Sequence, residues 1–213
     1  YSGGPSFLLA YYKDTTNQPT ASFAADYNNL GVKAAQPKTV SIGSLLGSTN
    51  GTLGTADADG YYSAVVNSAA AFPSGSTLRA VGLQGYFTQA AGTNSIAASN
   101  ARHALSAVKP VTGDPVRRDV VDSAKCATCH EWFEGHGGNR VVGKDTVGMS
   151  ICTMCHVPNL SSSGKGANAS NIGTTMTAAE QALLTADGYT LADPTTYPEE
   201  SNNFKDLIHG IQA

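Results

Sequence analysis

The stretch Thr39-Val40-Ser41-Ile42-Gly43-Ser44-Leu45-Leu46 decides how the first half of this chain is read. Val40, Ile42 and Leu46 alternate with Thr39, Ser41 and Gly43, the period of a half-buried β-strand. The alternation predicts a strand over Thr39–Leu46. Working outward, short apolar runs predict further strands at Ser6–Tyr12, Tyr61–Val66, Thr77–Thr88 and His103–Val108. Asn50-Gly51, Asp57-Ala58-Asp59-Gly60 and Pro73-Ser74-Gly75 supply turn signals between them. Several short strands at this spacing predict a mainly β domain over residues 1–115, an antiparallel split barrel or sandwich. Only 14% of residues are charged, which suits short strands and loops better than long charged helices.

Lys109-Pro110 through Asp114-Pro115 reads as a linker, and beyond it the alternation stops. Residues 116–213 are expected to form a loop-rich domain with a few short helices. Asp122 suits the cap of a helix carrying Cys126, Cys129 and His130. Thr177-Ala178-Ala179-Glu180 matches a capping box, with Gly188 as the stop of that helix. Asn203 suits the cap of a last helix whose Phe204, Leu207, Ile208 and Ile211 share one apolar stripe. Two polar segments, Ser161–Gly173 and Ala192–Asn202, read as loops. So little apolar side chain for the length implies that a bound group supplies part of the core.

The net charge of -3 and pI near 5.9 give no basis for a nucleic-acid partner or a polybasic membrane patch. No run approaches the roughly 20 apolar residues that span a bilayer. Tyr1-Ser2-Gly3-Gly4-Pro5 lacks the basic and apolar regions of a signal peptide, so the chain reads as mature or excised.

All four cysteines fall in two pairs, and each pair ends in histidine: Cys126-Ala127-Thr128-Cys129-His130 and Cys152-Thr153-Met154-Cys155-His156. Two structural disulfides are the bland reading of four cysteines, yet two intervening residues make a strained, redox-active bridge rather than a staple. Cys-x-x-Cys-His is the attachment signature of c-type haem. Both thiols form thioethers to one porphyrin, and the histidine that follows is the proximal iron ligand. Zinc is the main competitor, although 22 residues between the pairs lie just beyond the usual four-cysteine spacing. A thioredoxin-like dithiol needs only one pair and a βαβ context. The histidines separate these readings. With five in 213 residues, chance places one after both pairs on the order of once in two thousand. Two covalent haems are therefore expected.

The sixth ligands determine whether such haems carry electrons or bind substrate. His103, His136 and His209 remain. His136 precedes Gly137-Gly138, which allow close backbone approach to a porphyrin, and reaches the second haem more easily than the first. His209 lies on the last predicted helix and completes the first haem; His103 reads as an ordinary strand residue. Met149 and Met176 are substitutes that would raise the potential. Two bis-histidine haems leave no open position, which favours electron carriage. Trp132 and Phe133 are expected to pack on porphyrin, and Arg140 to pair with a propionate. Plain core packing and a solvated arginine are the bland alternatives. The nine tyrosines read as amphipathic sheet residues before electron relays.

Arg117-Arg118-Asp119-Val120-Val121-Asp122-Ser123-Ala124-Lys125-Cys126 leads into the first motif, and His136-Gly137-Gly138-Asn139-Arg140 follows it. Val157-Pro158-Asn159 follows the second, and Asn203-Phe204-Lys205-Asp206-Leu207-Ile208-His209-Gly210-Ile211 comes later. Over roughly residues 100–213 this order resembles the outer-membrane multihaem cytochromes of metal-reducing bacteria, the OmcA/MtrC family. The resemblance implies a β-barrel domain before a domain of several low-spin haems, at the outer-membrane surface or in the periplasm. It implies metal oxides, soluble metals, flavins or partner cytochromes as acceptors. It also implies His130 and His156 as proximal ligands and His136 and His209 in the motifs that supply distal ones. Three departures stand out: only two haem motifs, an early stop, and Gln212 where the family often has histidine. A piece of a longer cytochrome is the expectation that follows. No further cysteine pair exists for the redox disulfide of some family barrel domains. The rivals are a dihaem peroxidase or small-molecule reductase with one open haem, and a zinc-binding structural module.

Overall fold

A computed structural model describes residues 2–13, 26–29, 36–92, 97–100, 104–157, 177–187, 201 and 203–212. The chain divides into two compact units, Tyr1–Leu30 with Pro37–Cys155, and Gly31–Gln36 with His156–Ala213.

The first unit contains β1 (Ser2–Gly3), β2 (Ser6–Lys13), β3 (Lys38–Ser41), β4 (Gly51–Ala56), β5 (Tyr62–Val66), β6 (Ser76–Gln84), β7 (Phe87–Gln89), β8 (Ser99–Asn100), β9 (Ala107–Pro110), β10 (Trp132–Gly135) and β11 (Arg140–Gly143). Its helices are α1 (Ile42–Leu46), α2 (Ser123–Ala127) and α3 (Ser150–Thr153). Every strand pairing among the described residues is antiparallel. The main sheet has the order β3-β2-β6-β9, beside a three-stranded sheet β1-β7-β8 and the hairpins β4-β5 and β10-β11. Antiparallel sheets with a few short helices are thus present as expected. Among the described residues the three-stranded sheet is open and the main sheet ends at β3 and β9, so neither closes into a barrel.

Strand β2 explains the architecture. Leu8, Leu9, Ala10 and Tyr11 are all buried, so the strand is covered on both faces rather than alternating in and out. The register places Phe7 opposite Leu83, Leu8 opposite Gly82, and Leu9 opposite Val81. One face therefore carries Phe7, Leu9 and Val81, which join Val40, Leu45, Leu53, Val66 and Phe72 in a core beneath α1 and the β4-β5 hairpin. The other carries Leu8, Ala10, Ala80 and Gly82 and receives Ile151 and Met154 of the α3 region. Each large aliphatic side chain removed from water here contributes about 1.5–3 kcal/mol.

The predicted strand over Thr39–Leu46 is corrected. It stops at Ser41, whose hydroxyl accepts from the Ser44 N–H at 3.0 Å and starts α1. Serine at an N-cap satisfies an otherwise open helix donor, and this local bond overrides the alternation. Val40 and Leu45 then reach the same core from a strand and a helix. The predicted Thr77–Thr88 run divides at Gly85-Tyr86 into β6 and β7, and β4 was not expected.

The linker reading of Lys109–Pro115 is also overturned. Lys109 and Pro110 pair with Val81 and Ala80. Val111 N–H donates to Arg79 O at 2.9 Å, and Asp114 accepts from the Arg79 backbone N–H, Nε and Nη2 at 2.7, 2.9 and 2.8 Å. Contacts do not part near residue 115. The chain runs on through β10, β11 and α3, and the first compact unit ends at Cys155.

In the second unit, α4 (Ala178–Ala186) and α5 (Phe204–Gln212) are described. The capping box forms as read: Thr177 Oγ1 accepts from Glu180 N–H at 3.3 Å, and Glu180 Oε2 accepts from Thr177 N–H at 2.7 Å. Asn203 Oδ1 accepts from Lys205 N–H at 3.1 Å at the start of α5. Phe204 is buried, Leu207 and Ile208 are half-buried, and Ile211 is exposed. Gly188 and Ser161–Gly173 lie outside the described residues, as does Ala192–Asn202 apart from Ser201.

Candidate functional site

Asp122 Oδ1 accepts from Ala124 N–H at 3.1 Å and opens α2, as its sequence position predicts. The helix is shorter than expected. It carries Cys126 but ends at Ala127, and Cys129 and His130 occupy the turn that follows. That turn is still tightly built: the Cys129 and His130 N–H groups both donate to Cys126 O, at 3.2 and 3.0 Å. Cys126 is half-buried, whereas Cys129 and His130 are exposed. The His130 ring lies 4.3 Å from the Phe133 ring, centroid to centroid. Trp132 is 46% exposed.

Cys126, His130, Trp132, Phe133, Lys144 and Met149 line one shallow cleft with a cavity volume of about 10 Å³. That is less than the roughly 300–1,000 Å³ of an enclosing ligand pocket. Met149 is 2% exposed, has a left-handed backbone (φ 48°), and donates its N–H to Ser123 Oγ at 3.0 Å. This bond ties the start of α2 to the segment leading into α3. Met176 lies outside the described residues, as does His103.

The second motif sits on α3 and the turn after it, where Cys155 N–H donates to Cys152 O at 3.2 Å. Its two spacer residues are anchored by side chains remote in sequence. Thr153 O accepts from Arg117 Nη1 at 2.9 Å, and Met154 O accepts from Asn29 Nδ2 at 3.3 Å. The last carbonyls of a helix lack partners within it, so both bonds cap α3 where it delivers Cys155. Arg117 is itself held by Asp26, with Nε–Oδ1 at 2.8 Å, and Arg118 Nη2 reaches Asp26 Oδ2 at 2.6 Å. The Arg117 guanidinium also lies 4.6 Å from the centroid of the Tyr27 ring. Sequence reading missed this support. Its only signal was the Arg117-Arg118 pair, and the partners lie about ninety residues away.

Met154 is fully buried against Gly82, where a Cβ would sit 2.6 Å from Met154 Sδ and 2.9 Å from Ile151 Cδ1. Glycine at this place in β6 is what lets the motif lie against the sheet. Burial pushes the Cys152 thiol up to about 11; Arg140 opposes the rise, while Cys155 and Cys126 add to it. Such a site suits an uncharged sulfur, the state of a thioether.

No family model, curated protein or solved structure matches this chain.

His136 lies at the turn of the β10-β11 hairpin, exposed and with a left-handed backbone (φ 55°), followed by Gly137 and Gly138 at φ 67° and 88°. Three successive left-handed residues require the two glycines. His136 belongs to the same unit as Cys152 and Cys155, and α3 packs directly against β11. Arg140 opens β11, half-buried, and its Nε is fully buried without a hydrogen-bond partner among the described residues. In the second unit, half-buried His156 lies 6.2 Å from the Phe204 ring, centroid to centroid. His209 is exposed on α5, about 140° around the helix from Phe204 and so off the apolar stripe. Among the described residues no three His, Cys, Asp or Glu side chains converge as metal ligands, and no helix is long and apolar enough to cross a membrane.

The residues fit a c-type haem in three respects: two thiol pairs each folded in one turn, aromatic rings beside both histidines, and a half-buried arginine whose Nε is buried without an acceptor among the described residues.

Proposed function

We propose that this chain is an electron-transfer segment of a multihaem c-type cytochrome, with two covalently attached haems. The observation that carries the proposal is the pair of Cys-x-x-Cys-His sequences, each folded as one short helix and turn. Cys126 with Cys129, and Cys152 with Cys155, are the thioether residues. His130 and His156 hold the proximal positions. His136 and His209 would be the distal histidines, a set that would leave no position for outside ligands. When bound, haem supplies a one-electron iron couple. The sheet domain holds the second motif from below through Gly82, Asn29 and Arg117, and a fixed site lowers the reorganisation that accompanies electron transfer.

On the resemblance of its motifs to the OmcA/MtrC family, we propose that this activity lies outside the cytoplasm, at the outer-membrane surface or in the periplasm. Its partners are other cytochromes of the same chain, metal oxides, soluble metals or flavins. The test is an absorption spectrum of the ferric and ferrous protein, with and without carbon monoxide. Low-spin spectra unchanged by carbon monoxide support closed bis-histidine sites. Strong binding at one haem would instead mark a dihaem peroxidase or reductase, and a colourless protein with stoichiometric zinc a structural module.

A further inference from the structure

We infer that Arg140 is the cation of the second haem site, taking a propionate carboxylate of the group held by Cys152 and Cys155 and raising that haem's reduction potential. The inference rests on the haem reading of the motifs and adds a specific tuning residue to it. Arg140 Nε is buried and makes no hydrogen bond among the described residues. Buried donors are almost always paired, and a lone one asks for a missing acceptor. Arg117 Nη2 is likewise buried without a hydrogen bond, but it lies 2.7 Å from the Asp26 carboxylate, and Arg79 is held by Asp114, so both of these half-buried arginines have a carboxylate partner. Arg140 appears in no such pair among the described residues.

Its position selects which haem it serves. Arg140 begins β11, the strand against which α3 packs, and α3 carries Cys152. The guanidinium charge is felt at the Cys152 sulfur, where it opposes the effect of burial. A porphyrin fixed through that sulfur brings two carboxylates with it, and an arginine fork takes a carboxylate through two parallel N–H donors. A fixed positive charge in a site partly closed to water favours the reduced, less positive iron.

The experiment compares the wild-type holoprotein with Arg140→Gln and Arg140→Lys. Intact mass first establishes two covalent haems in each. Spectroelectrochemical titration then resolves the two midpoint potentials. For Arg140→Gln, one potential should fall by about 59 mV, a tenfold change in the ferric-to-ferrous ratio, while the other stays. Arg140→Lys, which keeps the charge, should restore most of it. Two haems with both potentials unmoved in Arg140→Gln, or a lysine variant that behaves like glutamine, would overturn the assignment. Should Arg140→Gln not accumulate, resonance Raman of the propionate bending modes settles the matter with Arg140→Lys. A shifted band is expected from exchanging a planar fork for a point charge, and an unchanged band overturns the inference. A wild-type protein without covalent haem is a different failure: it removes the reading of the motifs themselves.

Discussion

Replacing Asp26 with Asn removes the carboxylate that pairs with both Arg117 and Arg118 among the described residues. The two arginines differ sharply in their surroundings. The Arg117 side chain is 7% exposed and its Nη2 lies 2.7 Å from Asp26 Oδ1, whereas Arg118 is 54% exposed. Leaving a buried charge unpaired costs about 3–5 kcal/mol, while an exposed pair is worth at most about 1 kcal/mol. The expected loss from Asp26→Asn is therefore about 3–5 kcal/mol, nearly all of it from Arg117. At about 2–4 °C per kcal/mol for a unit of this size, the melting temperature falls by roughly 6–20 °C. Urea denaturation of the holoprotein at pH 7 measures the loss, with Arg118→Ala as the control that costs less than about 1 kcal/mol. Arg117 also holds Thr153 O, so the second motif should loosen with the ion pair and the first should not. A loss below about 1 kcal/mol for Asp26→Asn would refute the claim that a buried ion pair supports α3.

Three further outcomes are expected. Gly82→Ala drives a methyl group into Met154 and Ile151 and costs about 1–3 kcal/mol; in a double-mutant cycle with Met154→Ala, the two changes should cost at least about 0.5 kcal/mol less than their sum. Asp114→Asn should destabilise by on the order of 1 kcal/mol at pH 7, discounted because Arg79 is 35% exposed. Hydrogen bonds from Arg79 hold the Asp114 carboxyl down to about 2, below its unfolded value near 4. This contribution is present above pH 4 and disappears as the pH falls through 2, so wild type and variant should converge in acid. Finally, Thr177→Ala removes the Oγ1 acceptor of the Glu180 N–H and should cost α4 about 0.5–2 kcal/mol, read as faster amide exchange in its first turn.

Local signals in the sequence translated well into structure. The Thr177–Glu180 capping box is complete within four residues, and Asp122 caps α2 with its own side chain, so neither depends on distant contacts. The same locality misled at Ser41, which fits a strand alternation and a helix cap equally well until the bond to Ser44 decides. Long-range features left no trace to read. Asp26 and Arg117 lie 91 residues apart, and Asn29 and Met154 lie 125 apart. The β10-β11 hairpin was hidden because Val141 and Val142 are both buried, which erases the two-residue period. In sequence Gly137-Gly138 reads as a place for close porphyrin approach, whereas in the fold it reverses the chain between β10 and β11. The motif residues were legible by identity alone. Their exposure was not: Cys129 faces solvent while Cys155 is buried, a difference set by the sheet beneath α3.

The central claim is that four cysteines and two histidines hold two covalent haems. Intact mass of the protein, produced with cytochrome c maturation and paired with a pyridine haemochrome spectrum, tests it most directly. The account predicts a mass increased by two haem increments and no thiol open to alkylation. A mass equal to that of the bare chain, with all four thiols alkylated or bound to zinc, would contradict it.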